Sequence, residues 1–118
     1  MRDPDLFRLI KGKFLVDGKG GAPIEDGALL LKNDKILMAG RRSDVSPPNG
    51  AKVLTNDFPD GSILPGLIDV HTHLNYPGDG THTDDVMSET DDILLMQSIL
   101  NAHNYLRLGV TTLSLIHI

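Results

Sequence analysis

The chain has 118 residues, which suits one ordinary domain, and its hydrophobic share of 40% with only 4% aromatics predicts a largely aliphatic core. The 11 Lys and Arg residues against 16 Asp and Glu residues leave a formal charge of -5, which argues against a nucleic-acid partner. Because there is no cysteine, disulfides and thiolate metal sites are excluded, and any metal must be held by His nitrogen or carboxylate oxygen.

The first residues, Met1 to Leu6, lack the apolar segment of a signal peptide. No apolar run is long enough to span a bilayer. We therefore expect a soluble, cytoplasmic protein that has no membrane partner.

The first part of the chain predicts short strands separated by turns. The strand candidates are residues 7–16, 28–31, 35–39 and 52–56. Asn33-Asp34 predicts the tight turn of a hairpin, and residues 41–50 and 57–61 are predicted loops. This spacing of strands and turns predicts that residues 1–64 form the N-terminal part of a small β-sandwich.

The pattern changes after Ser62. Leu67, Ile68 and Val70 form a compact apolar run, which predicts a strand buried on both faces. Residues 75–88 are mostly polar and predict a long loop.

A helix is predicted from residue 89 to residue 108. Its apolar residues, at steps of four, three and four, are Leu95, Ile99, Ala102 and Leu106. Ser88 and Asp91 resemble a capping box, Asp91 and Asp92 suit the first turn, and Arg107 suits the last. Gly109 is predicted to terminate the helix, and residues 110–113 form a second buried strand. Residues 67–113 therefore predict one βαβ unit with parallel strands and a right-handed crossover.

The candidate site is the pair His71 and His73, at the carboxyl end of the first strand of this unit. Strand side chains alternate, so both rings leave the same face, with Cα atoms about 6.6 Å apart at roughly 3.3 Å per residue. That separation allows both rings to reach one Zn²⁺ at about 2.0–2.1 Å. A bare His-x-His pair also occurs by chance, so the surrounding residues decide its meaning.

Those surrounding residues, Ile63-Leu-Pro-Gly-Leu-Ile-Asp-Val-His-Thr-His-Leu74, resemble the opening of the amidohydrolase superfamily of metal-dependent hydrolases. The resemblance extends over about residues 13–112. It includes Asp26-Gly-Ala28 and Asn33-Asp-Lys-Ile36 of an N-terminal hairpin and Leu108-Gly-Val-Thr-Thr112 of a second barrel strand. It implies that residues 65–118 begin a (β/α)8 TIM-like barrel, truncated after its first βαβ unit, and that Leu64-Pro-Gly66 marks the transition from the sandwich.

The length of the segment 74–108 favours the branch that contains imidazolonepropionase and Xaa-Pro dipeptidase-like enzymes. Asn75 departs from dihydroorotase, which usually has Arg at that place to hold a substrate carboxylate. This subgrouping leaves the substrate itself open.

The resemblance implies that His71 and His73 are metal ligands and that the cofactor is Zn²⁺, as one or two divalent ions in the full-length enzyme. Metal-activated water would hydrolyse a carbon–nitrogen bond, in an amide, cyclic amide or dipeptide-like small-molecule substrate. The remaining ligands and the catalytic Asp of the family come from later barrel strands. A barrel needs about 250 residues, so we expect no catalytic residue in this chain and no turnover by it alone.

Three alternatives stay open. A deaminase or a deacetylase of the same superfamily stays open, because the loops that set specificity are expected outside this chain. A non-catalytic module that binds a metal or a partner is the alternative from another class of protein, and a cooperative melt of the isolated chain would favour it. A homo-oligomer of the full-length protein is also left open.

Two further residues are candidates near the pair. Asp69 is predicted to support it, by accepting a hydrogen bond from a ligand His or by satisfying nearby backbone. His82, in the loop after the strand, is a candidate substrate contact, although a solvated loop His is the commoner case. Leu113-Ser-Leu-Ile-His-Ile118 resembles a translated sequencing adapter rather than the family's continuation, and His117 is not assigned as a ligand.

Overall fold

The structure is a computed structural model that describes residues 6–115. It is an α/β fold made mostly of strands, and it divides into two compact units between Pro65 and Gly66. Among the described residues, no helix is long and apolar enough to cross a membrane. His117 lies outside the described residues.

The elements in chain order are β1 (Leu6–Leu15), β2 (Ile24–Lys32), β3 (Lys35–Arg41), a 3-10 turn (Arg42–Asp44), β4 (Lys52–Ile63), β5 (Leu67–Thr72), α1 (Thr83–Met87), α2 (Asp91–Arg107) and β6 (Val110–Leu115).

The first unit contains one four-stranded sheet in the order β3-β2-β1-β4. Strand β1 pairs antiparallel with β2 and parallel with β4. Lys32 pairs with Lys35 across the turn at Asn33, whose φ of 56° lies in the left-handed region that Asn tolerates. The predicted hairpin is therefore confirmed, while the assignment of this sheet to a β-sandwich stays a prediction.

The core of this unit lies on one face of the sheet. Alternate residues of β1 and β2 face the same way, so each strand contributes residues two apart to the core. The buried cluster consists of Phe7, Leu9, Ala28, Leu30 and Val45, with Ala51 and Val53 packed against it. Apart from Phe7 this cluster is aliphatic, as the composition predicts.

The prediction of a loop over residues 57–61 was wrong, because β4 runs through them. The ladder between β1 and β4 shifts register here, between the partner pairs Gly12–Phe58 and Phe14–Ser62. Two steps along β1 therefore match four along β4, so the turn-forming residues bulge out without ending the strand. A Cβ on Gly12 would lie 2.9 Å from the carbonyl oxygen of Gly61, and only glycine permits so close an approach.

The second unit contains a two-stranded parallel sheet of β5 and β6, which confirms the predicted parallel pairing. The expected burial of β5 on both faces was wrong: Leu67 is 52% exposed, Ile68 66% and Val70 74%. Parallel strands become buried when further strands and helices cover both faces. In the second unit, the described residues contain one further strand and the two connecting helices beside β5.

The segment predicted as a loop over residues 75–88 contains the short helix α1. Val86 is its buried residue, at 3% exposure. Ser88 caps the end of α1 and donates from Oγ to the carbonyl of Asp85 at 2.7 Å. The predicted capping box at Ser88 was therefore wrong, and Thr90 occupies the N-cap position of α2. Gly109 follows α2 with a φ of 86°, as predicted for a terminating glycine.

Helix α2 does not turn its predicted apolar stripe inward. Leu95 is 60% exposed, Ile99 59% and Leu106 66%. The half-buried face consists of Leu94, Gln97, Ser98, Asn101, Ala102 and Tyr105. One residue of a helix corresponds to about 100° of rotation, so this face is offset by about one residue from the stripe that the sequence predicted. Polar side chains on it bond to the backbone of the second unit, as described below.

Candidate metal site

The two candidate ligands lie together at the carboxyl end of β5. His71 belongs to the strand and His73 follows its last residue, Thr72. The ring centroids are 5.4 Å apart and the ring planes are tilted by 54°. The two imidazoles therefore extend from the same side of the chain, at the strand end where parallel α/β proteins gather ligands.

This separation suits two imidazoles that share a tetrahedral ion. With a Zn–N distance of about 2.0–2.1 Å, each ring centroid lies about 3.2 Å from the ion, and two such centroids at a tetrahedral angle are about 5.2 Å apart. The observed 5.4 Å is close to that value. Within residues 6–115, no group of three or more His, Cys, Asp or Glu side chains is arranged to hold an ion. The ring separation is compatible with a shared ion, for which this pair would supply two nitrogen ligands.

A local irregularity in the sheet precedes the pair. Asp69 pairs with Leu113 and Thr72 with Leu115, so three steps along β5 match two along β6. This register shift corresponds to one extra residue on β5, a device that redirects side chains next to functional sites. The Oδ1 atom of Asp69 accepts a hydrogen bond from the backbone N–H of His71 at 3.0 Å. Asp69 was predicted to bond either to a ligand imidazole or to nearby backbone groups. This contact is of the second kind, because it involves the backbone N–H of His71.

Thr72, between the two candidate ligands, is bound to helix α2. It is 5% exposed, and its hydroxyl forms a 2.6 Å hydrogen bond with the hydroxyl of Tyr105. Because strand side chains alternate, a Thr72 side chain held on one face directs its two neighbours to the other.

The segment after His73 is also bound to α2. The Nδ2 atom of Asn101 donates to the carbonyls of Leu74 at 2.8 Å and Tyr76 at 2.7 Å. The Oδ1 atom of Asn101 accepts from Nε2 of Gln97 at 3.1 Å, which orients the amide. The Tyr76 ring packs beside His73 with centroids 5.0 Å apart.

Sequence reasoning missed these helix residues. Gln97, Asn101 and Tyr105 recur every four residues and therefore share one helix face. Three side chains with hydrogen-bonding groups at that spacing, beside an apolar stripe, are a signal that would have identified them.

His82 occupies the N-cap position of α1, and its side chain is 75% exposed. Its Nδ1 atom accepts a hydrogen bond from the backbone N–H of Asp84 at 3.3 Å. This contact satisfies one of the free N–H groups at the helix start. A substrate contact by His82 stays a prediction.

Two exposed carboxylates of this unit have perturbed acidity. The pKa of Asp79 is lowered from 3.8 because its carboxylate accepts hydrogen bonds from the hydroxyl and the backbone N–H of Thr81. The pKa of Asp92 is lowered from 3.8, chiefly by the Thr90 hydroxyl. Both shifts follow from local turn and helix-start hydrogen bonds that favour the ionised form.

A pocket of about 240 Å³ lies between the loop after His73 and the two helices. The residues that line it include the polar residues Asn75, Gln97 and Glu89 and the apolar residues Val86 and Leu94. Small-molecule sites typically have this mixture of apolar walls and a few polar groups.

The chain has curated sequence relatives over about half of its length. It is 39% identical over 56 residues to imidazolonepropionase from Yersinia pseudotuberculosis, covering 48% of this chain and 13% of that protein. It is 41% identical over 59 residues to the Bradyrhizobium imidazolonepropionase, covering 50% and 14%. The Idiomarina loihiensis imidazolonepropionase is 35% identical over 69 residues, covering 58% and 16%. The chain therefore spans about one seventh of the length of these relatives, and no family profile matches it.

Solved structures share its fold. Aspergillus niger ochratoxinase superposes with a TM-score of 0.74 at 19% identity, over 94% of this chain and 25% of that one. A Xaa-Pro dipeptidase superposes with a TM-score of 0.73 at 20% identity, over 93% and 26%. Guanine deaminase from E. coli superposes with a TM-score of 0.72 at 23% identity, over 92% and 29%.

The sequence matches support the amidohydrolase superfamily for this chain, and the solved structures agree with it in fold. This confirms the resemblance seen in the residues around the His pair. Members of this superfamily are hydrolases that act on carbon–nitrogen bonds and use divalent metals.

Proposed function

We propose that His71 and His73 are the first two metal ligands of a metal-dependent hydrolase that cleaves a carbon–nitrogen bond in a small molecule. The observation that carries the proposal is the 5.4 Å separation of the two imidazole centroids at the carboxyl end of a parallel strand. The (β/α)8 barrel belongs to the same proposal, with β5, the two helices and β6 as its first βαβ unit.

Zn²⁺ is the proposed ion, because His nitrogen is one of its preferred ligands and the ring separation suits its tetrahedral geometry. When bound, the ion would polarise the scissile carbonyl and activate water. The residues of this chain would hold the ion. The two imidazoles would supply nitrogen ligands, and Asp69 would restrain the backbone of His71 through their hydrogen bond. Further ligands and the catalytic acid or base would come from parts of the longer protein.

The proposed substrate is a cyclic amide of the imidazolone type, because the curated relatives are named imidazolonepropionase. The pocket whose lining includes Asn75, two residues after His73, supports a small molecule, since the polar residues Asn75 and Gln97 line it together with the apolar residues Val86 and Leu94. Deamination is the second candidate, because guanine deaminase shares the fold over 92% of the chain. Deacetylation, a homo-oligomeric state and a cytoplasmic location remain expectations from the sequence.

A Zn²⁺ titration of the 118-residue chain by calorimetry tests the metal site. We expect binding by the unchanged chain and its loss in both His71→Ala and His73→Ala. The matched control is His103→Ala, because His103 is an exposed imidazole on α2. Equal zinc affinity in all four proteins would contradict the metal proposal.

A second experiment tests the reaction. The coding sequence downstream of Thr112 identifies the longer protein, which is then assayed with imidazolonepropionate, a Xaa-Pro dipeptide and guanine. We expect hydrolysis of the imidazolone, its loss in His71→Ala and His73→Ala, and no turnover by the 118-residue chain. Turnover of guanine alone would favour the deaminase. If the longer protein binds zinc without turnover of any of the three, the non-catalytic alternative is favoured.

A further inference from the structure

We infer that the helix face formed by Gln97, Asn101 and Tyr105 positions His71 and His73 for a shared ion. The inference rests on the proposed function, because a restrained imidazole pair has a purpose only if it binds an ion. The hydrogen bonds of the three helix residues act through the backbone after His73 and through the neighbouring side chain Thr72. The three residues are positioning residues and not ligands.

The first contact acts between the two candidate ligands. Thr72 is buried, and its hydroxyl bonds to Tyr105 at 2.6 Å, so its side chain is held against the helix. Rotation of the strand end would move His71, Thr72 and His73 together, because their side chains alternate on one backbone. The bond to Tyr105 therefore restrains the direction of both imidazoles.

The second contact acts after the pair. One amide nitrogen of Asn101 donates to two carbonyls, those of Leu74 and Tyr76. An amide nitrogen carries two hydrogens, so this arrangement uses both of them. Gln97 donates to the Oδ1 atom of Asn101 and thereby fixes which end of the amide faces the loop.

The third contact brings this restraint to a ring. The backbone carbonyl of His73 accepts from the N–H of Tyr76 at 3.3 Å, which closes a turn. The ring of Tyr76 then packs beside the ring of His73, with centroids 5.0 Å apart and planes tilted by 48°. Holding Tyr76 through Asn101 therefore limits the space in which the His73 imidazole can move.

The orientation of α2 supports a role beyond packing. The helix directs these hydrogen-bonding residues inward, while Leu95, Ile99 and Leu106 remain more than half exposed. Groups that surround metal ligands and fix their orientation commonly alter metal affinity when they are replaced. We expect the same of Asn101 and Tyr105.

Metal-free NMR of the 118-residue chain tests the inference directly. We expect nuclear Overhauser cross-peaks between the ring protons of His71 and His73, because the rings are neighbours. The variants Asn101→Asp and Thr72→Val should lose these cross-peaks, because a carboxylate cannot donate to the two carbonyls and Val has no hydroxyl.

Two matched controls should keep the cross-peaks. Asn104→Asp makes the same change at an exposed position of the same helix, and Thr72→Ser retains the hydroxyl. A thermal melt of each variant identifies any that fail to fold. Cross-peaks that persist in folded Asn101→Asp and Thr72→Val, or that are absent from the unchanged chain, would overturn the inference.

A zinc titration of the same proteins separates this inference from the proposed function. We expect Asn101→Asp and Thr72→Val to weaken the affinity for Zn²⁺ by about tenfold, with both controls unchanged. If the unchanged chain shows the cross-peaks but binds no zinc, the proposed function fails and the positioning of the rings stands. If zinc binds equally in all variants and the cross-peaks persist, the positioning inference fails and the metal site stands.

Discussion

The hydroxyl oxygens of Thr72 and Tyr105 lie 2.6 Å apart, and their hydrogen bond joins the strand that carries the His pair to helix α2. The two residues are 33 positions apart in the chain, so the bond depends on tertiary packing. Thr72 is only 5% exposed, so water cannot readily replace a lost partner. This bond therefore offers a direct measure of how strongly the helix holds the site.

A double-mutant cycle on this bond should show coupling. We expect Thr72→Val and Tyr105→Phe each to lower the free energy of unfolding by about 1 kcal/mol, since each removes the same bond. The double variant should lose little more than either single variant, with a coupling of about 1 kcal/mol measured by urea denaturation. Thr72→Ser is the control that keeps the hydroxyl, and strictly additive losses would show that the two hydroxyls do not interact.

Replacing Gly66 by Ala should destabilise the second unit. A Cβ at Gly66 would lie 2.1 Å from Oγ1 and 2.8 Å from Cβ of Thr111, so rotation of the Thr side chain cannot relieve the overlap. We expect a loss of about 2 kcal/mol in the free energy of unfolding, typical of forced overpacking. Gly21→Ala is the matched control, because a Cβ there meets no atom within 4 Å. Equal stability of the two variants would contradict the close approach of Gly66 and β6.

Truncation of the core of the first unit should cost more than truncation on its surface. Leu30 is 1% exposed within the buried cluster, whereas Leu37, on the adjacent strand, is 50% exposed. We expect Leu30→Ala to lower the free energy of unfolding by about 3 kcal/mol through lost burial and a residual cavity. Leu37→Ala, measured by the same denaturant titration, should cost less than half as much, and similar losses would place the core elsewhere.

The carboxyl group of Asp79 should titrate below its ordinary pKa of 3.8, because Thr81 hydrogen-bonds to the ionised form. A folded-state pKa below the unfolded value stabilises the fold above the unfolded pKa, and this contribution is lost as the pH falls through the folded value. NMR titration should show that Thr81→Val raises the pKa of Asp79 towards 3.8. Asp92 in the same sample is the internal control, since its donor Thr90 is unchanged. If the pKa of Asp79 is the same in Thr81→Val as in the unchanged chain, the Thr81 hydroxyl is not the cause of the lowered pKa.

Local chemistry was enough to predict several elements. The turn at Asn33 requires a residue that tolerates positive φ, and the end of α2 at Gly109 requires the same property. The neighbouring positions of His71 and His73 follow from the two-residue period of a strand. The start of α2 was less predictable, because Ser88 and Thr90 are both acceptable cap residues, and Ser88 is used to end α1.

Long-range pairing overrode local signals elsewhere. Residues 57–61 contain Pro59 and Gly61 and predict a loop, yet β4 continues through them because its ladder with β1 resumes beyond the bulge. The motif glycine Gly66 could be recognised from the sequence, but its close approach to Thr111 depends on the pairing of β5 with β6.

The sequence by itself determined that two imidazoles leave the end of one strand together, because alternation along a strand is a property of the backbone. It also determined that a helix follows them, because apolar residues recur at helical spacing. Only the tertiary structure decided which face of that helix meets the strand. Periodicity defines the faces of a helix, but the inward face is chosen by partners distant in the chain, here the Thr72 hydroxyl and the carbonyls of Leu74 and Tyr76.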